Sequence, residues 1–132
     1  SLNARFLGGD GWTGVVADTA AAEGAYVGAP FTDADTRPEV RRFVQAFLAK
    51  NQRLPDGNSA LAYDATMVIA RALAKQGASR PRVREFLAGL GTRTAITGVT
   101  GPIAFHKTGD PIGKSFVMTR VRHGALVPES QK

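Results

Sequence analysis

The sequence predicts a three-layer α/β protein, in which helices cover the faces of a β-sheet. Two observations predict this fold class. Strand-like runs of β-branched and apolar residues lie at both ends of the chain, and three amphipathic helical segments lie between them. Glycine-rich turns separate these segments. With 132 residues, the chain has the size of one ordinary domain or of a piece of a larger protein.

The N-terminal part predicts two strands with a short helix between them. Residues 4–9 have the pattern of a strand that runs into a glycine-rich turn at residues 8–14. A short helix is expected within residues 13–24, and a second strand follows it, with one face made of Ala25, Val27 and Ala29. Because the sequence opens inside a strand pattern, without an initiator Met or a signal-peptide core, we expect a piece of a longer protein.

The first of the three helices is predicted to begin near Pro38. Thr36 and Glu39 have the spacing of a capping box, and proline suits a first helical turn. One buried stripe then follows the helical period, and it consists of Val40, Phe43, Val44, Phe47 and Leu48.

Two more helices follow. The second is expected to start with Asn58 or Ser59 as its N-cap and to end at Gly77. Its nearly continuous apolar run predicts burial on more than one side. The third helix is shorter, lies within residues 79–91, and is expected to face inward with Val83, Phe86, Leu87 and Leu90.

The C-terminal part predicts strands at residues 103–105, 116–121 and 125–127, with a tight connection at residues 122–124. The stretch GDPIGKSF, Gly109–Phe116, is similar to a phosphate-binding loop, but only three residues separate Gly109 from Gly113 where that loop needs four. A strand pattern follows it instead of a helix. We therefore interpret it as a turn between strands.

Composition and spacing exclude several classes of function. The formal net charge is +6, but the basic residues are dispersed and do not alternate with aromatic residues, which argues against a nucleic-acid partner. The chain has no cysteine, which excludes thiolate chemistry. The two histidines, His106 and His123, fall in expected turns without a flanking carboxylate pair. Asp33 and Asp35 fit the entry to a helix better than a calcium loop.

No nucleophile, base and orienting group come together in the sequence, so it predicts no enzyme, no metal site and no cofactor. Asp64 lies on the apolar second helix, where a hydrogen bond to a neighbouring loop is the expected role. One stretch does suit a binding site. In GGDGW, Asp10 follows a strand inside a glycine-rich turn and stands beside Trp12, an arrangement suited to an ammonium group. On spacing alone, a structural Asx-turn at Asp10 is the preferred interpretation.

Several stretches, taken in order, resemble one family. They are FLGGDGW, AEGAYVGAPF, FVQAFLAKNQRLPDGNSALAYDATMVIARAL and TGVTGPIAFHKTGDPIGKSFVMTRVRHGALVP. They are similar to the C-terminal part of periplasmic substrate-binding proteins of branched-chain amino-acid-type ABC transporters, the leucine/isoleucine/valine-binding class. The most specific parts are Tyr63-Asp64-Ala65 and the stretch ending at Asp110. His106 departs from the Asp expected after the phenylalanine.

This resemblance implies a type I periplasmic binding fold of two α/β lobes, joined by three crossovers, that closes on its ligand. The chain would supply a C-terminal fragment that contributes to both lobes. Residues 1–31 and 115–132 would belong to the second lobe, and residues 32–114 to the first. The uncovered faces of such a fragment imply that it is found with its missing N-terminal segment or as a homodimer formed by strand exchange.

The resemblance also implies a site and a function. The family carboxylate that binds the α-ammonium group of the ligand falls on Asp10, with Gly11 and Trp12 beside it at the rim, and Asn58 precedes the Tyr63 helix near the ligand. This reverses the preference for an Asx-turn. The implied function is that of a periplasmic component that captures an amino acid, branched-chain or other, or an aromatic acid, and delivers it to an ABC permease. The alternative is a ligand-sensing regulatory or receptor domain of the same fold.

Overall fold

The computed structural model describes residues 4–129. The strands are β1 (Leu7–Gly8), β2 (Tyr26–Ala29), β3 (Ile96–Gly98), β4 (Gly101–Phe105), β5 (Pro111–Ile112), β6 (Val117–Arg122) and β7 (Ala125–Pro128). The α-helices are α1 (Thr19–Ala22), α2 (Pro38–Asn51), α3 (Gly57–Gln76) and α4 (Arg80–Ala88). Two 3₁₀-helices cover Asp10–Ala17 and Thr92–Thr94. The predicted α/β class is confirmed. Among the described residues, no helix has both the length and the apolarity that crossing a membrane requires.

A four-stranded sheet brings the two ends of the described chain together. Its strand order is β1-β2-β6-β7, with β1 parallel to β2 and the other pairs antiparallel. The predicted face of β2 is confirmed, because Ala25, Val27 and Ala29 are all buried. Val27 packs with Val121 of β6 in one core cluster. The expected strand at residues 4–9 is shorter than predicted and consists of β1 alone.

A two-residue turn joins β6 to β7, as the sequence predicts. His123 and Gly124 both have positive φ, 52° and 76°, which is the backbone of a type I′ hairpin turn. The predicted glycine-rich turn at residues 8–14 is different, because from Asp10 onward it forms a 3₁₀-helix.

The second sheet contains β3, β4 and β5, all antiparallel. β3 was not predicted, because three residues carry too little periodicity. GDPIGKSF contains β5, and after it the backbone turns at Gly113, which has a φ of 73°, and enters β6. The interpretation of this stretch as a turn between strands is therefore confirmed. Side chains of α3 and α4 pack on this sheet, whereas α2 packs with Phe31, Ala60 of α3 and Val99.

The predicted caps at the starts of α2 and α3, and one residue of the predicted buried stripe of α2, are wrong. The capping box of Thr36 and Glu39 does not form: Arg37 is the N-cap of α2 and makes no side-chain cap bond there, and Glu39 pairs with it at 3.3 Å. Leu48, expected in the buried stripe of α2, is 44 % exposed. The N-cap of α3 is Asp56, not Asn58 or Ser59. The predicted C-terminal Gly77 is confirmed, with a φ of 72°.

Helix α3 is buried on one side only, contrary to the prediction. Its buried residues recur every fourth position, at Ala60, Asp64, Val68 and Ala72. The rest of its apolar surface faces outward in the described structure and includes Leu61, Tyr63, Met67, Ile69 and Leu73. The apolar run therefore predicted more covered surface than residues 4–129 provide.

Two segments connect the sheets. The first crossover, residues 30–37, leads from β2 to α2, and the second crossover, residues 113–116, leads from β5 to β6. Beside the first crossover lies a core cluster that contains Phe31, Val40, Phe43, Ala60 and Val99. Because β2 and β6 are neighbours in the four-stranded sheet, the two crossovers leave that sheet next to each other.

Candidate ligand-binding site

A cavity of about 270 Å³ lies beside the first crossover, and we call it the crossover cavity. Its wall combines Ala29 and residues 31–33, the loop at residues 55–58, and side chains of the four-stranded sheet. It thus lies at the carboxyl end of β2, where ligands bind in open α/β sheets. Its volume is just below the roughly 300–1,000 Å³ of typical small-molecule sites. The cavity suits one small molecule.

The charged side chains of this wall are both acidic. They are Asp33 and Asp56, both exposed, and Oδ2 of Asp56 also lies 3.9 Å from Nη1 of Arg53. Within the described residues, the cavity wall contains no lysine or arginine. The polar groups beside them are Thr32, Asn58 and Thr119, but the Thr119 hydroxyl donates to the carbonyl oxygen of Val27 at 2.8 Å. The electrostatics of the wall favour a ligand with a positively charged group.

Asp10 is the first residue of the 3₁₀-helix that follows β1. Its side chain is exposed, and Oδ1 accepts a hydrogen bond from the N–H of Gly11 at 3.0 Å. A carboxylate has two oxygens, so this hydrogen bond to Oδ1 leaves capacity for a further donor. Gly11 is also exposed. Neither residue lines the crossover cavity, although Gly14 of the same helix does.

The ring of Trp12 packs against Gly8. A Cβ atom on Gly8 would overlap this ring, so glycine is required there for the close approach. The N–H of Trp12 donates to the carbonyl oxygen of Gly9 at 3.0 Å, which closes the turn. With 41 % of its surface exposed, Trp12 lies outside the cavity wall, on the same short helix.

Asn58 lies in the cavity wall, in the first turn of α3. The loop before it is held by Asp56, whose Oδ1 accepts from the N–H of Ser59 at 2.7 Å. Hydrogen bonds from the Ser59 side chain and backbone hold the pKa of Asp56 below its ordinary value of 3.8. Of the four predicted site residues, Asn58 alone lines the cavity, while Asp10, Gly11 and Trp12 lie in the helix that reaches it at Gly14.

Replacing Asp56 by alanine is expected to lower the free energy of unfolding by about 1 kcal/mol at pH 7, because the cap of α3 is lost. The lowered pKa sets the sign of the pH dependence: the carboxylate stabilises the fold above about pH 3.8, and this contribution disappears as the pH falls further. Urea unfolding of both proteins at pH 7 and near pH 2 checks this. An equal difference between them at both values would contradict it.

Asp64 has the role that the sequence predicts, a set of hydrogen bonds to a neighbouring loop. Its carboxylate accepts from the N–H groups of Val99 and Thr100 at 2.8 and 2.9 Å, and from the Thr100 hydroxyl at 2.6 Å. Asp64 and Thr100 are each 5 % exposed. These three hydrogen bonds satisfy the buried carboxylate and give it a structural role, the attachment of α3 to the turn at residues 99 and 100.

His106 and His123 lie in turns, as predicted. His106 follows β4 and contacts the Thr108 hydroxyl at 3.1 Å, while His123 lies in the hairpin between β6 and β7. Asp35 serves the entry to α2, where it accepts from the Arg37 backbone and side chain. Within residues 4–129, no three side chains of the metal-binding types come together.

This chain is similar to solved structures of substrate-binding proteins. An ABC transporter substrate-binding protein from Desulfitobacterium hafniense, in complex with Leu, is 27 % identical over 98 % of this chain, with a TM-score of 0.84. A leucine-binding protein from Thermotoga maritima is also 27 % identical over 98 % of this chain, with a TM-score of 0.83. A solute-binding protein from R. palustris, in complex with benzoate, shares the fold at 20 % identity over 87 % of this chain and 32 % of its own, with a TM-score of 0.70.

This chain spans 36 % and 37 % of the lengths of the first two structures. A comparison with curated protein sequences gave no match. The family model described as periplasmic binding protein matches residues 2–125. That family and the matched structures are binding proteins, not enzymes. With nearly its whole length matched, the chain belongs to the periplasmic binding protein family.

Proposed function

We propose that this chain is part of the extracytoplasmic solute-binding component of an ABC transporter, and that it captures an amino acid or a similar small carboxylate for uptake. The observation that carries the proposal is the crossover cavity, which lies at the carboxyl end of β2 in a fold shared with two leucine-associated binding proteins. The family is extracytoplasmic, and we propose the periplasm as the location.

The ligand we propose carries an ammonium group. Asp33 and Asp56 make the cavity wall acidic, and Asp10 retains acceptor capacity on the adjacent 3₁₀-helix. A carboxylate that meets an ammonium group forms a charge-assisted hydrogen bond, which is about twice as strong as a neutral one. Asp10, Gly11 and Trp12 would contact the ligand from one side of the crossover cavity. Asn58 would contact it from the other side.

We further propose that the two sheets belong to two lobes. The four-stranded sheet falls within residues 1–31 and 115–132, the second lobe, whereas α2, α3, α4 and the three-stranded sheet fall within residues 32–114, the first lobe. The two crossovers lie at the proposed boundaries. Bending of these segments would close the cleft on the ligand and present the closed protein to an ABC permease.

Calorimetric titration of the full-length protein tests the proposed function. The panel contains leucine, isoleucine and other amino acids, with benzoate as the aromatic acid. We expect saturable binding of at least one amino acid. Binding of benzoate alone would show that the ligand lacks an ammonium group, and binding of no member of the panel would contradict the proposal.

The apolar surfaces left open in this chain require a cover. They comprise the outer side of α3, the strand residues Leu7 and Met118, which are 70 and 45 % exposed, and Phe116 directly before β6, which is 62 % exposed. Large apolar side chains exposed in such number are typical of surfaces that a partner covers. We propose that the rest of the family fold covers it in the full-length protein.

The isolated 132-residue chain is therefore expected to associate with itself, as a homodimer that exchanges strands. Light scattering coupled to chromatography at several concentrations measures this. A mass near twice 13.9 kDa is the expected result. A stable monomer of 13.9 kDa at all concentrations would contradict the prediction, because it would show that these surfaces need no partner.

A further inference from the structure

Both crossovers are tied by a cationic side chain to one short turn, residues 98–101, which joins β3 to β4. In the second crossover, the Nζ atom of Lys114 donates to the Thr100 hydroxyl at 2.8 Å and to the Thr100 carbonyl oxygen at 3.3 Å. At the end of the first crossover, the guanidinium group of Arg37 donates to the carbonyl oxygens of Gly98 and Val99 at 3.2 and 2.9 Å. Two segments distant in sequence therefore share one anchor.

The anchor itself is rigid. Asp64 of α3 holds the 98–101 turn through three hydrogen bonds, and Gly98, Val99 and Thr100 are all buried. A Cβ atom on Gly98 would lie within 2.7 Å of the Asp64 carboxylate carbon, so the turn and α3 are in the closest contact that the backbone allows. A crossover tied to this turn cannot bend at its tied residue unless the tie breaks.

We propose that Lys114 and Arg37 are positioning residues, which restrict where the two crossovers bend and so set the opening of the crossover cavity and its affinity for the ligand. Neither residue lines the cavity, so neither acts by touching the ligand. The proposal about affinity rests on the proposed function, whereas the proposal about bending does not. When the hydrogen bonds of Lys114 are lost, the second crossover can bend at more positions. The open state then has more conformations, and closure on the ligand becomes less favourable.

The surroundings of Lys114 make it the better test residue. Its amine is half-buried. Burial is the largest cause that lowers the pKa of Lys114; the charge of Asp64 raises this pKa, and the charge of Arg37 lowers it. Without Lys114, the Asp64 carboxylate keeps its three hydrogen-bond donors, so the replacement leaves no buried charge without a partner. Lys114→Met should therefore keep the fold, with a melting temperature within about 4 °C of the wild type. If Lys114 only stabilised the fold, its replacement would instead lower the melting temperature by more than this.

The experiment measures distances between two spin labels in the full-length protein without ligand. Cysteines are introduced at Glu85 in α4 and Ala125 in β7, both exposed, and any cysteine outside these 132 residues, which themselves contain none, is first replaced by serine. We expect Lys114→Met to broaden the distance distribution. Lys107→Met, an exposed lysine in the turn after β4, is the matched control and should leave it unchanged. Lys114→Arg, which keeps a donor, should restore most of the narrow distribution.

Ligand affinity, measured by calorimetry, is the second readout. Lys114→Met is expected to weaken binding by roughly fivefold or more, the range of typical couplings between distant sites, while Lys107→Met leaves it unchanged. An unchanged distance distribution in Lys114→Met would overturn the proposal, and so would a broadened distribution with unchanged affinity in a protein that binds. If no solute binds even the wild type, the proposed function fails, and the distance distributions alone support or overturn the restriction on bending.

Discussion

Replacing Asp64 by alanine is expected to lower the free energy of unfolding by about 3–5 kcal/mol, because it removes the acceptor of three hydrogen bonds at once. The N–H groups of Val99 and Thr100 are buried, and each would lose its partner at a cost of about 1–3 kcal/mol. The 98–101 turn would also lose its attachment to α3, and with it the shared anchor of the two crossovers.

Urea unfolding followed by circular dichroism measures the effect. Asp33→Ala is the matched control: it removes an exposed carboxylate with no described hydrogen-bond donor and should change stability by less than about 0.5 kcal/mol. Gly98→Ala tests the same contact by adding a Cβ atom, which would displace the Asp64 carboxylate from its hydrogen-bond donors. A loss below about 1 kcal/mol in Asp64→Ala would show that the network contributes little to stability.

Replacing Asp10 by alanine in the full-length protein is expected to weaken binding of an amino acid by about 1.5–3 kcal/mol, or roughly 10- to 150-fold. The physical reason is the loss of a charge-assisted hydrogen bond to the ammonium group of the ligand. Because Asp10 is exposed and its one described hydrogen bond is to the adjacent Gly11, the variant should keep its stability. The effect should therefore appear in affinity alone.

Calorimetric titration of wild type and variant provides the measurement, with Asp110→Ala as control. Asp110 is also exposed, lies in the turn before β5, accepts from the Thr108 hydroxyl, and does not line the crossover cavity. Unchanged affinity of Asp10→Ala for every amino acid would exclude Asp10 as the ammonium-binding group. The affinity for benzoate is expected to be the same in the wild type and in Asp10→Ala, since benzoate has no ammonium group for Asp10 to bind.

Elements with a strong local period could be predicted from the sequence. Helix α2 repeats apolar residues at helical spacing, and Val40 and Phe43 are buried as expected. β2 alternates, and its three predicted inward residues are buried. The turn at His123 and Gly124 could be predicted because it contains residue types that tolerate positive φ. In each case the determining interactions lie within a few residues of one another.

Caps and uncovered faces could not be predicted in the same way. Asp56, Asn58 and Ser59 all suit the N-cap of α3, and only the backbone geometry selects Asp56. The apolar run of α3 gave no sign of which side would be buried, because that depends on what packs against it. The exposed Leu61 and Ile69 show that hydrophobicity and burial diverge when a partner surface is absent from the described residues.

The residues discussed with the candidate site also divide into those whose role could be predicted from the sequence and those whose role could not. Asp64 could be expected to meet a loop, because a carboxylate on an apolar helix face needs donors, but nothing local identifies residues 99 and 100 as those donors. Lys114 and Arg37 carry no sequence signal at all, since their contacts span 14 and more than 60 residues. Only the folded chain brings the two crossovers to one turn.

Amide hydrogen exchange of the full-length protein, with and without a saturating concentration of the amino acid that the titration identifies, tests the central claim that the crossover cavity is the ligand site. We predict that this amino acid slows exchange at residues 8–14, 29–33 and 55–59, which line the cavity or lie beside it, and leaves α4 unchanged. Protection confined to other segments, or no protection at any ligand concentration, would contradict the account.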